Sequence, residues 1–147
     1  MATAISGPTP KHFWIVAILS VLWNAYGAYD YLMTNLDPAG YIASAGFGPE
    51  VAAWFESFPT WAVAAWAVGI WASVAGALLL LVRSRHAATA FLLSFVGALV
   101  SFGYQFTSDR PAEVAGGSAM IMPVVILVAI VLQWYYARRQ AAAGVLR

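Results

Sequence analysis

The sequence predicts an all-α fold: an integral membrane four-helix bundle with a short interfacial helix between the first and second spans. Three observations carry this. The 147 residues are 63% hydrophobic and only 9% charged, whereas soluble domains carry about 25% charged residues. A water-soluble fold of this size could not hide so much apolar surface. The apolar residues gather into four runs, about 13–32, 61–82, 88–107 and 118–137. Each is about 20 residues long, enough to cross ~30 Å of hydrocarbon. Finally, the cations collect in the connections of one side. The whole chain, 1–147, reads as a single transmembrane domain.

Residues 1–10 are small and Pro-containing and read as a short flexible tail. Lys11 and His12 then precede the first span, Phe13 to about Leu32. It is too long for the apolar core of a signal peptide and lacks a small-x-small cleavage site, so it is expected to be retained. Its closing stretch, Trp23–Tyr31, carries Asn24 and Asp30, the two residues there that hydrocarbon tolerates least. Residues 33–60 form an outer loop rich in Gly and Pro, too long for a tight helix–helix turn. Within it, Pro49 suits a first helical position and Glu50 a first turn. Val51, Trp54, Phe55 and Phe58 fall at i, i+3, i+4 and i+7. The expected element is a short helix on the membrane surface with Glu50 and Glu56 toward water; a loop helix packed over the end of the bundle is the other reading.

In the second span Ala65, Gly69, Ser73 and Ala77 recur every four residues. Small residues at that spacing let a neighbouring helix approach closely. Arg83-Ser84-Arg85-His86 makes a short turn. In the third span Ala90, Ser94, Gly97 and Ser101 also share a face, so spans two and three are expected to form an antiparallel hairpin. Asp109, Arg110 and Glu113 mark a polar loop. The fourth span holds Pro123 within its first two turns, where a mild kink is expected. Trp134, Tyr135 and Tyr136 form an interfacial belt, and Arg138 and Arg139 are expected to end the helix.

Four spans place Lys11, Arg83, Arg85, Arg138, Arg139 and Arg147 on one side and Arg110 alone on the other. The positive-inside rule then puts both termini in the cytoplasm. All six acidic residues fall on the outer side, giving a face that attracts cations weakly within a Debye length of about 10 Å.

The polar residues of the first span suggest a site. Asn24 lies near the middle of its span and requires a hydrogen-bond partner. Asn24, Gly27 and Tyr31 share one face; Tyr26 and Asp30 share another. The third span brings Ser101, Tyr104 and Gln105 to the same depth. If these spans face each other, Asn24, Tyr26, Asp30, Tyr104 and Gln105 line an outward-opening site for a small polar or cationic ligand. The alternative is an interhelical hydrogen-bonded clasp plus an Asp30 that reaches water. An ionisable residue inside a span invites an ion- or proton-linked role. Gln133 in the fourth span is expected to hydrogen-bond another helix.

Several classes find no support. With no Cys there is no disulfide, thiolate nucleophile or Cys-ligated metal. His12 and His86 are isolated at the basic side, a poor basis for a metal or haem site. Ser57 and Ser101 have no His at their depth. Gly116-Gly117 alone is no phosphate loop, and Asp109 with Glu113 reads as a solvated loop. A net charge of +1 without a basic stripe argues against nucleic acid. No enzyme activity, metal or cofactor is expected.

The runs Leu22–Thr34, Ser57–Trp61, Leu78–Arg85 and Tyr136–Arg139, with the ending Gly144–Arg147, resemble a family of small four-span bacterial membrane proteins. The likeness covers nearly the whole chain. It implies the architecture and a bacterial inner membrane; some members are loosely labelled sugar transporters. The leading expectation is a non-enzymatic accessory or structural subunit, packed in the bilayer against itself as a homo-oligomer or against a larger membrane complex. The alternative is an oligomeric small-solute transporter for a sugar-like molecule or a cation. A lipid- or quinone-handling membrane enzyme comes third.

Overall fold

The computed structural model describes residues 8–147, so residues 1–7 of the expected N-terminal tail lie outside the described residues. Those residues are helical, with no strand among them. Seven helices follow in order: α1 Lys11–Leu36, α2 Pro38–Ser44, α3 Pro49–Glu56, α4 Thr60–Leu81, α5 Ala87–Thr107, α6 Ala112–Ala115 and α7 Ile121–Ala142, the last entered through a 3-10 turn at Gly117–Met120. By length and apolar composition, α4, α5 and the segment Gly117–Ala142 can each cross a membrane. The 26-residue α1 is not among them. Trp23, Asn24, Tyr26, Tyr29 and Asp30 dilute its apolar character.

Helix ends explain where the sequence expectations slip. α1 runs a turn past Leu32 because nothing stops it before Asp37-Pro38. There the Asp37 carboxylate accepts the Gly40 N–H at 3.1 Å, capping α2, and Pro38 takes the first helical position. The loop thus holds two helices, and α2 was not expected. It closes at Gly46, φ +86°, in the left-handed region that glycine enters without strain. Arg138 and Arg139 do not end α7, contrary to expectation. The helix continues to Ala142 and stops at Gly144, where Val145 and Gly144 N–H groups return to Gln140 and Ala141 carbonyls. Pro123 falls in the first turn of α7, where a missing N–H breaks no helical bond, so the reason for a kink is gone.

α4 and α5 pack along their whole length, with α1 laid on α4 and α7 on α5. The close seam has a backbone cause. A Cβ on Gly97 would lie 2.6 Å from the Gly69 nitrogen and 2.8 Å from the Ala65 carbonyl oxygen. Ser94 Oγ donates to the Gly69 carbonyl at 2.6 Å. Ser73 Oγ donates within its own helix, to Ile70. Ala77 is buried with Phe91, Leu80 and Ala87 toward the basic end.

At that end Phe13 and Ala17 of α1 meet Ala137 and Tyr136 of α7, Phe13 and Tyr136 stacking at 6.4 Å. The Tyr136 hydroxyl is buried without a partner among the described residues. The chain after α7 docks on the α4–α5 turn: Arg147 N–H bonds the Arg83 carbonyl at 2.8 Å and Arg85 N–H the Arg147 carbonyl at 2.9 Å. At the other end α2 and α3 cover the helix tops through Ile42, Val51 and Ala52. Gly48 N–H bonds Glu113 and Trp54 Nε1 donates to Ser108 Oγ, tying α3 to the α5–α7 connection.

Candidate functional site

α1 and α5 approach each other little and border a common space. That space is a cavity of about 370 Å³ lined by the four long helices and by α3. Each of three helices gives a stripe at i, i+3, i+4 and i+7: Trp23, Tyr26, Gly27 and Asp30 from α1; Trp66, Gly69, Ile70 and Ser73 from α4; Ala98, Ser101, Phe102 and Gln105 from α5. α7 adds Pro123, Ile126 and Ile130, and Phe55 of α3 closes the acidic end. Asn24 lies at the rim of the α1 stripe.

Of the five residues expected to bind a ligand, Asn24, Tyr26, Asp30 and Gln105 line this cavity. Tyr104 does not. It is half-buried against the Trp54–Phe58–Ala62 cluster instead, edge-on to Phe58 at 5.1 Å and to Trp61 at 5.2 Å. Tyr104 and Gln105 are adjacent on α5 and so point in different directions, and the aromatic cluster of α3 and α4 takes the tyrosine. Tyr31, on the Asn24 face of α1, is likewise absent from the cavity lining and packs edge-on against Trp66 at 5.1 Å. Of the packing residues, Gly69, Ser73 and Ser101 border the cavity as well as the helix seams.

The sequence left the partner of Asn24 open; Gln133 of α7 supplies it, so the two residues form an interhelical hydrogen-bonded clasp. Asn24 Nδ2 donates to Gln133 Oε1 at 2.7 Å and to the Ser20 carbonyl at 2.8 Å. Gln133 Nε2 donates to the Ala129 carbonyl at 3.2 Å. Both residues are buried, and this pair is the bridge between α1 and α7 beyond their meeting at the basic end. Asp30 Oδ1 accepts the Tyr41 hydroxyl at 2.8 Å. Burial, then the hydrogen bond to Asp30, then the carboxylate's charge hold the Tyr41 phenol above its ordinary pKa, so it remains a donor throughout the neutral range. Gln105 Nε2 donates to Ser101 Oγ at 3.2 Å.

A second space of about 400 Å³ adjoins the cavity at the acidic end. Arg110, Glu113 and Ser118 stand on its walls, and it shares Phe55, Gln105, Met122 and Pro123 with the inner cavity. Those four residues form a neck between the two. Arg110 lies over the Phe106 ring, 5.0 Å from its centre. Among the described residues no group of three His, Cys, Asp or Glu side chains is placed to hold a metal ion.

The sequence reading missed Trp23, Trp66, Phe102 and Phe55. The signal existed: residues 66, 69, 70 and 73, and 98, 101, 102 and 105, repeat the α1 spacing. Small residues on those faces were read as a packing seam alone. Compared with known proteins, the chain matches no family model, no curated protein and no solved structure.

Proposed function

We propose that the chain is a non-enzymatic four-span protein of the bacterial inner membrane whose helix bundle holds a small solute. The observation that carries this reading is the meeting of Asn24, Tyr26, Asp30 and Gln105 on one cavity of about 370 Å³. Ligand pockets run from about 300 to 1,000 Å³ and are mainly apolar with a few placed polar groups.

In this reading α1 is the fourth span. Its 26 residues rise ~39 Å at 1.5 Å each. Ile15, Ile18, Leu19 and Leu22 are exposed on its outer face and would meet lipid, while Asn24 faces inward. Both termini and the 83–86 turn lie in the cytoplasm by the positive-inside rule, and the likeness to small bacterial four-span proteins suggests the inner membrane. The chain has no Cys, so topology is testable with Ser84→Cys and Ala112→Cys. In intact spheroplasts a membrane-impermeant maleimide should label Cys at 112 and not at 84; the reverse pattern rejects the orientation. Solute holding is tested by uptake into reconstituted vesicles, with Asp30→Asn as the comparison. Flux that is absent for sugars and cations alike removes the carrier reading.

A second reading, the accessory subunit, has its own support. Only 6% of the α7 apolar stretch is buried, against 33% for α4 and for α5. Val124, Val128 and Leu132 are exposed along it. This face suits a second copy or a larger complex, and four spans are few for a carrier that acts alone. Native mass measurement in mild detergent decides: a monomer at all protein concentrations removes the oligomer.

A further inference from the structure

The cavity proposed to hold a solute has a chemical bias, and it follows from which polar atoms are already used. Asn24 and Gln133 cannot exchange their amide ends. Gln133 Nε2 donates to a carbonyl, which leaves Gln133 Oε1 as an acceptor, and Asn24 Nδ2 donates to that oxygen and to the Ser20 carbonyl. Both N–H bonds of Asn24 are therefore spent. Its Oδ1 has no hydrogen-bond partner among the described residues, though Asn24 is only 5% exposed. That oxygen is not sealed off, and Asn24 borders the cavity.

The same holds for the other polar groups. Gln105 spends an N–H on Ser101 and keeps Oε1 without a partner among the described residues. Asp30 receives Tyr41 on Oδ1 and keeps Oδ2. Around these acceptors stand the aromatic rings of Trp23, Trp66 and Phe102. No Lys, Arg or His lines the cavity. A carboxylate, two amide oxygens and several ring faces attract a cation that donates hydrogen bonds, and they repel an anion.

We infer that the cavity binds a protonated organic amine: an ammonium group directed at the free oxygen of Asp30, with an apolar or aromatic body against the rings. This rests on the solute-holding reading above and narrows it to one ligand class. The adjoining space beyond Phe55 and Gln105 carries both Arg110 and Glu113, but by sequence that end holds all six carboxylates of the chain against the single Arg110, so its net field favours a cation.

The experiment uses the full chain in nanodiscs, with empty nanodiscs as blank, and equilibrium dialysis at neutral pH. The probes are benzylammonium, its neutral counterpart benzyl alcohol, and glucose. Benzylammonium should bind at least roughly tenfold more tightly than benzyl alcohol. Asp30→Asn, which keeps the shape and an acceptor for Tyr41, should abolish that preference while leaving benzyl alcohol as it was. Equal binding of the two aromatic probes, or a preference unchanged or lost together with benzyl alcohol in Asp30→Asn, overturns the amine assignment and leaves the cavity reading standing. Glucose binding without benzylammonium does the same. If no probe exceeds the blank, both readings fall.

Discussion

Asn24 and Gln133 share one hydrogen bond across the interior, and the energetics of such a pair are asymmetric. Removing one partner leaves a buried amide without its bond and costs about 1–3 kcal/mol. Removing both leaves two apolar groups face to face. Asn24→Leu and Gln133→Leu should each lower stability in SDS titration, and the double variant should recover part of the loss. The interaction energy from the cycle is expected at about 0.6–2 kcal/mol, the range for bonds between membrane helices. Additive losses would mean that the bond contributes nothing. The Tyr136 hydroxyl is the opposite case, buried with no partner among the described residues. Tyr136→Phe should therefore be neutral or stabilising by up to about 1 kcal/mol in the same titration; a clear loss would reveal a partner. At this scale the sequence foretold that Asn24 needs an acceptor and that Gln133 bonds another helix. It did not join them, because helical periodicity gives the face of a residue and not the helix opposite.

The α4–α5 pair is the most constrained element. Its backbones touch where Gly69 meets Gly97, so no side chain fits between them. Gly97→Leu should separate the helices and cost at least about 2 kcal/mol by overpacking. Gly103, on the same helix, has nothing within 4 Å of a built Cβ. Gly103→Ala should gain about 0.5–1 kcal/mol from helix propensity alone. Thermal unfolding in one detergent compares them directly; similar effects at both positions would mean that the seam has slack. The spacing of small residues from Ala65 to Ala77 made this face legible. Helix ends were less so. Arg138 and Arg139 looked like a stop, yet a left-handed glycine six residues after Arg138 supplies the actual one. α2 was hidden because seven residues are too few for periodicity to register.

Taken whole, the molecule has four long helices and short ones capping the acidic end. The helical class and three apolar crossings were readable from hydrophobic runs of the right length. α1 sits below those three because the residues that line its cavity face are the ones that make it less apolar. On the proposed reading, solute binding and spanning thus compete for one stretch of sequence, Trp23–Tyr31. The cavity itself was only half legible. The α1 face drew attention through Asn24 and Asp30, whereas Trp66 and Phe102 look like ordinary membrane residues until four faces are set around a common axis. Tyr104 was placed there by its depth, and depth is a poorer guide than angular position around the helix.

The unequal joints between neighbouring helices have a mechanical consequence. α4 and α5 form a spine, locked glycine to glycine. The opposite edge, where α1 and α7 barely meet, is fastened by two amides and the greasy foot below them. On the proposed solute-holding, four-span reading, extra room for a bulkier guest would be gained most cheaply by swinging that loose edge apart, and the slot would face the hydrocarbon tails rather than the aqueous rim.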